Sequence, residues 1–402
     1  MKRYLPWLLA VVALSIAGYL IVQGLLAVDF SVYRSGSRVL LHGGSLYNDV
    51  SVGGYPFTYP PFAAVVLLPL LVAPANLAFI AWKLITAAAL FWVARIVAVR
   101  MPALSGGATT MSSWTLTWLV FTISLVTEPV LENFRFGQIN IVLMAMLLFD
   151  TVTKSRWTGI LTGIAAGIKV TPGLFIVFML VTRRWADALR AGAAFAATIL
   201  VGALFGPAQE WRYWTAILFD TSRVGETDRA SNASLGGIFS RLLPTGASTI
   251  AWLTAALVVM FAGLVIAARW WPRDRLAAAC TVGMTGLLIT PIAWVHHWVW
   301  LVPTAVVLLA LSLRRTAQPS PGRWLVVFAF AAVSITELAQ VRRGLPFLLG
   351  AKPGKAGTAS IIDILTSLYA GSSLIALVAL AFATRGFDAT AARTDAQSRV
   401  GG

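Results

Sequence analysis

The sequence predicts an all-α polytopic membrane protein, and three observations predict it. Hydrophobic residues make up 58% of the 402 and charged residues 11%, with a mean hydropathy of +0.82, which is too apolar for a soluble domain. Several apolar runs are long enough to cross about 30 Å of hydrocarbon. Basic residues recur between those runs, so the net charge of +16 reads as topology signals and contacts with anionic lipids. Membrane lipids are therefore expected partners and nucleic acid is not. The single cysteine, Cys280, sits inside an apolar run. That excludes an internal disulfide and a cysteine metal cluster, and core packing is its expected role.

The elements follow from basic flanks and apolar length. Lys2 and Arg3 put the N-terminus inside, and Leu5 to Ala27 runs outward. This run is long, contains Gln23 and lacks a small-residue cleavage pattern, so it reads as a retained helix rather than a signal peptide. A first outer loop over 28–74 follows, and Ala75 to Ala98 returns to Arg95 and Arg100. Trp114 to Val126 goes out and Ile139 to Phe149 comes back to Lys154 and Arg156. The stretch Gly159 to Val181 has basic flanks at both ends, which requires an even number of crossings or a re-entrant hairpin. Its centre, Lys169-Val170-Thr171-Pro172-Gly173, contains a helix-breaking proline, so Lys169 is expected at the hairpin tip. A lysine there is either functional or snorkelling to an interface. Ala191 to Phe205 leads to a second outer loop over 206–248, Trp252 to Ala268 returns, and Ala277 to Ile289 goes out to Thr290-Pro291. The run to Leu313, Trp324 to Leu338 and Ile361 to Ala383 complete the set. Counting the hairpin as two short helices gives about twelve crossings with both ends cytoplasmic. One membrane domain over 1–387 and a disordered polar tail over 388–402 are expected.

That topology gathers Asp29, Glu128, Lys169, Arg223 and the pair His296-His297 on the outer face. Asp29 follows the first helix, where a carboxylate is a candidate base or a helix cap. His296 and His297 follow a proline in a Trp-rich stretch, and being adjacent they point apart, which makes them poor joint metal ligands. One could orient or protonate a substrate group while the other packs. Glu128, Gln138 and Asn140 surround a glycine turn; such groups suit sugar hydroxyls, and the amides equally suit helix ends. Tyr59, among the aromatics of the first outer loop, could stack on a sugar or join an interfacial belt. Asn232-Ala233-Ser234 matches a glycosylation acceptor, a pattern frequent by chance. No phosphate-cradling glycine loop, dinucleotide fingerprint or metalloprotease motif occurs, so a cytosolic nucleotide-dependent reaction is unsupported. No internal repeat points to an inverted-repeat transporter.

Asp29-Phe30-Ser31-Val32-Tyr33, Pro56 to Phe62, Phe136-Gly137-Gln138-Ile139-Asn140, Gly167 to Pro172 and Pro291 to Trp298 occur in that order. Together they resemble glycosyltransferase family 87, the polyprenyl-phosphate-sugar-dependent GT-C enzymes of actinobacteria, over nearly the whole chain. Within it the similarity is to the α-1,2-mannosyltransferases of phosphatidylinositol mannoside synthesis. The resemblance implies a GT-C fold with short broken helices, a polyprenyl-phosphate sugar donor, a lipid-linked glycan acceptor and no cofactor. It implies that Asp29 is the general base on the acceptor hydroxyl. The donor phosphate then needs cations at the membrane edge, for which Lys169 and Arg223 are the candidates, with His296 or His297 beside the phosphate or the acceptor. Fixed cations of this kind can stabilise a leaving phosphate, so no metal is expected. Glu128, Gln138, Asn140, Tyr59 and Asn232 are the candidate sugar and acceptor contacts. A decaprenyl-phosphate-arabinose-dependent arabinofuranosyltransferase stays open as the alternative within the class, and a lipid-linked sugar flippase outside it.

Overall fold

Apolar stretches between basic flanks become helices because in hydrocarbon a helix satisfies every backbone group within itself. The computed structural model describes residues 4–22, 27–314, 321–337 and 367–384. In chain order the helices are α1 (Leu5–Val22), α2 (Val28–Leu41), α3 (Pro61–Val66), α4 (Ala75–Leu104), α5 (Ser113–Ser124), α6 (Glu128–Phe136), α7 (Asn140–Val152), α8 (Ile160–Ile168) and α9 (Gly173–Val181). They continue as α10 (Trp185–Phe205), α11 (Pro207–Thr215), α12 (Leu235–Leu242), α13 (Thr245–Trp270), α14 (Arg275–Ile289), α15 (Leu301–Leu313) and α16 (Pro321–Glu337), and α17 (Ser367–Thr384). One small hairpin, β1 (Ser51–Val52) with β2 (Tyr55–Pro56), is antiparallel. Among the described residues six helices are long and apolar enough to span a membrane, or seven if the bent pair α6 and α7 counts as one span. The fold is thus all-α and multi-pass. The tail expected over 388–402 lies outside the described residues.

Residues 28–74, expected as a loop, are mostly ordered secondary structure. They hold α2, the hairpin, α3 and a 3-10 turn over Leu68–Leu71. The buried face of α2 carries Phe30, Tyr33, Ser37 and Leu40, spaced as one helical stripe. Ser37 Oγ donates to the Ala64 carbonyl at 2.8 Å, and Arg34 donates to the carbonyls of Leu70 and Ala73. These bonds seat α2 against the following segment.

Two breaks position the site. Between α6 and α7 the chain bends by 118°. Gly137 closes α6 at φ +70°, and a Cβ there would meet Phe30 Cβ at 2.7 Å, so both backbone and packing call for glycine. The Trp82 indole donates to the Gly137 carbonyl at 2.7 Å and pins the turn. Between α8 and α9, Lys169 is extended (φ −148°, ψ 134°) and Pro172 precedes the new helix, as the sequence led one to expect.

Helix α8 is anchored at both ends. Asp150 accepts from Gly159 N at 2.9 Å, from Thr162 N at 3.1 Å and from Thr162 Oγ1 at 2.6 Å, satisfying free donors of the helix start. Gly159, Gly163 and Gly167 then line up at four-residue spacing along α10. A Cβ at Gly163 would meet the Ala191 carbonyl at 2.2 Å, and one at Gly167 would meet Thr198 Oγ1 at 2.0 Å. Small residues at this spacing let two backbones approach closely where no hydrophobic force separates protein from lipid. Their consequence is a fixed height for Lys169, two residues beyond Gly167.

Candidate active site

Lys169 Nζ donates to Asn140 Oδ1 at 2.9 Å and lies 3.2 Å from His297 Nε2. With an ammonium as donor, Nε2 is the acceptor, which places the imidazole proton on Nδ1. An ammonium has three N–H groups, so one remains for a ligand. Asn140 Nδ2 donates to Gln138 Oε1 at 3.3 Å and to the His296 carbonyl at 3.1 Å. Gln138 Oε1 also accepts from Tyr33 Oη at 3.2 Å, and the Tyr33 and Tyr59 hydroxyls are 3.1 Å apart. One hydrogen-bonded chain therefore joins Tyr59, Tyr33, Gln138, Asn140, Lys169 and His297, drawn from five separated segments. Burial, and behind it the charge of Asp29, pushes the Tyr59 phenol up. It stays a neutral donor.

All of these residues except Tyr33 border a cavity of about 700 Å³. Asp29, Tyr59, Gln138, Asn140, Lys169, Arg223, His296 and His297 all line it. Asp29 stands in the first turn of α2, whose N-cap is Ala27, and α2 has no side-chain cap bond. The capping alternative for Asp29 is thereby removed, while a first-turn carboxylate remains favoured by the helix dipole. Leu143, Met144 and Leu147 of α7, Leu174 and Phe175 of α9, and Val282 and Leu287 of α14 line the same cavity, giving it an apolar wall. Arg223 Nη2 donates to the Tyr47 carbonyl at 2.8 Å, and its buried Nε has no hydrogen-bond partner among the described residues. Cation and apolar groove thus meet in one space.

His296 and His297 sit in a 3-10 run over Val295–Trp300, with ring centroids 4.6 Å apart and planes at 89°. The rings therefore meet edge to face instead of pointing apart as expected, because the tight 3-10 run holds both on neighbouring sides of the turn. The His296 carbonyl accepts from Asn133 Nδ2 at 2.6 Å as well as from Asn140, so α6 and α7 together clamp this turn.

Two expected contacts lie elsewhere. Glu128 is 2% exposed and accepts from Tyr369 Oη at 2.7 Å; it is not among the cavity-lining residues. Asn232 is fully buried. Its Nδ2 donates to the Thr227 and Pro291 carbonyls at 2.8 and 3.0 Å, and its Oδ1 accepts from Ala293 N at 3.0 Å. Asn232 ties the segment between α11 and α12 to the strand-like stretch ahead of the histidines, and it too is outside the cavity lining. Sequence reasoning missed Glu132, Asn133 and the role of Tyr33. Glu132 stands four residues before Phe136, a spacing that puts both on one helix face, and both line the cavity.

The family model of glycosyltransferase family 87 matches residues 57–291. A polyprenol-phosphate-mannose-dependent alpha-(1-2)-phosphatidylinositol pentamannoside mannosyltransferase of Mycolicibacterium smegmatis is 35% identical over 352 residues, covering 85% of this chain and 84% of the relative. The protein of the same name from Mycobacterium tuberculosis is 35% identical over 338 residues, covering 82% and 75%. A polyprenol-phosphate-mannose-dependent alpha-(1-2)-phosphatidylinositol mannoside mannosyltransferase of Mycobacterium tuberculosis is 32% identical over 335 residues, 77% of each chain. No solved structure matches the chain.

Proposed function

The chain belongs to glycosyltransferase family 87, and on that premise we propose that it transfers mannose from polyprenyl-phosphate-mannose to a hydroxyl of a phosphatidylinositol-mannoside-type glycolipid, forming an α-1,2 linkage. The observation that carries this reading is the meeting of Asp29 with the Lys169–Asn140–His297 cluster in one cavity that also has an apolar wall. The polyprenyl tail lies along Leu143, Leu147, Leu174 and Leu287. The donor phosphate takes the remaining Lys169 N–H, with His297 beside it and Arg223 approaching from the second outer segment. Asp29 removes the proton of the acceptor hydroxyl as its oxygen attacks the anomeric carbon. The carbon–oxygen bond to phosphate breaks on the opposite side, and the phosphate leaves with the electron pair. A single displacement inverts a β-linked donor into an α-linked product. Fixed cations at the leaving group supply the stabilisation that grows in the transition state. Asn140 holds the ammonium, and Tyr59, Gln138 and Asn140 line the sugar path, whereas Glu128 and Asn232 are assigned to the supporting wall.

In this reading residues 1–387 form one GT-C domain of about twelve crossings in the plasma membrane, with the cavity opening on the extracytoplasmic face. The alternating basic flanks and the short broken helices α6 to α9 support it. The test is transfer of radiolabelled sugar from synthetic polyprenyl-phosphate mannose and polyprenyl-phosphate arabinose to a panel of phosphatidylinositol mannosides by purified enzyme. Mannose transfer giving an α-1,2 product is expected. Transfer of arabinose alone would reassign the donor, and movement of donor lipid across vesicles without transfer would replace the enzyme with a flippase.

A further inference from the structure

Glu132 of α6 lines the cavity, and its Oε2 is 3.8 Å from His296 Nδ1. That separation is too long for a hydrogen bond. Among the described residues, both ring nitrogens of His296 are buried without a hydrogen-bond partner, in a residue only 8% exposed that itself lines the cavity. Buried polar groups are rarely left unpaired without a reason. The His296 backbone is held through its carbonyl by Asn133 and Asn140, so the ring is presented by a fixed turn. Phe136, also on the cavity wall, meets it edge to face with centroids 5.6 Å apart. An acceptor-only carboxylate, an imidazole with one donor and one acceptor, and an aromatic face form the chemistry that suits a neutral polyhydroxylated ring.

Position narrows which ring. Starting from the Lys169 ammonium, His297 comes next at 3.2 Å, then His296 by ring contact, then Glu132. Two imidazoles thus link the cation proposed for the donor phosphate to the carboxylate, which makes no direct contact with that cation. Asp29 belongs to the other end of the chain, one helical turn before Tyr33, which leads through Tyr59 to the Lys169 side. The acceptor hydroxyl must approach Asp29, whereas the donor sugar is bonded to the phosphate itself.

We infer that Glu132 and the His296 ring bind hydroxyls of the transferred sugar and so determine which donor sugar is accepted. This rests on the donor-site reading above. Glu132 is a specificity-determining contact; it takes no part in the proton transfer at Asp29.

The experiment is a cycle of variants against substrate analogues. Wild type, Glu132→Ala and Glu132→Gln are assayed with polyprenyl-phosphate mannose and its 2-, 3-, 4- and 6-deoxy forms, and with deoxy forms of the acceptor mannose. Donor binding is followed in parallel by thermal shift of the detergent-solubilised protein, which reads the same cycle without turnover. At least one deoxy donor is expected to lose about 10- to 100-fold in kcat/KM with wild type, the usual value of a hydrogen bond to a charged group. The same analogue should show no loss relative to the parent donor in Glu132→Ala. Independent, multiplying losses for every deoxy donor in an active enzyme would overturn the assignment alone, as would a collapse seen only with deoxy acceptors. A wild-type enzyme inactive with every mannosyl donor would overturn the functional reading and this assignment with it.

Discussion

Replacing Asp29 by Asn separates chemistry from structure at one atom. The substitution keeps shape and removes the capacity to take a proton. Loss of a general base costs about 10²- to 10⁴-fold in rate, equivalent to about 2.7 to 5.4 kcal/mol on the barrier. The structural cost is set by what Asp29 does in α2. Ala27 is the N-cap, and α2 has no side-chain cap bond to lose. What remains is the interaction of a first-turn carboxylate with the helix dipole, about 0.3 to 1 kcal/mol. The expected outcome is therefore a fall in kcat of at least about 100-fold with a nearly unchanged melting temperature. Mannose transfer is measured at saturating donor and acceptor, with thermal denaturation of the purified variant alongside. A kcat within tenfold of wild type would refute the base assignment. A large loss of Tm would show instead that Asp29 supports the fold.

Further outcomes are expected elsewhere. Lys169→Ala should raise the donor KM or abolish turnover, and Lys169→Arg should retain part of the activity, because charge is kept while the bond to Asn140 Oδ1 at 2.9 Å is rebuilt by a bulkier head; wild-type donor kinetics in Lys169→Ala would retire the phosphate contact. Gly167→Val should lower stability by about 1 to 3 kcal/mol through overpacking, since even a Cβ would meet Thr198 Oγ1 at 2.0 Å; an unchanged melting curve would contradict the close approach of α8 to α10. In a Cys280→Ala background, single cysteines placed at Arg156 and Arg273 should react with an impermeant thiol reagent only from the cytoplasmic side. Labelling of both from outside would invert the orientation.

Class, breaks and motif order are legible in the sequence because they depend on local chemistry. Hydropathy reports transfer to hydrocarbon residue by residue, a proline breaks its own helix, and Gly137 announces a turn wherever the chain goes next. The run Lys169 to Gly173 could therefore be placed at a break between short helices without coordinates, and the outcome agrees. Partners across long separations are another matter. Glu128 and Glu132 stand one turn apart on the same short helix, yet the first is bonded to Tyr369, 241 residues away, and the second faces His296 in the cavity. Their separation in sequence carries no information about which neighbour the fold brings to each. Asn232 matched a surface signature and is a buried staple, because backbone groups of residues 291 and 293, 59 and 61 positions on, meet it beside its local partner Thr227. Residues 28–74 read as a loop for want of a membrane-length apolar run. Tertiary contacts to Ala64, Leu70 and Ala73 make them ordered, since a short amphipathic helix becomes stable when its apolar stripe has a surface to bury against.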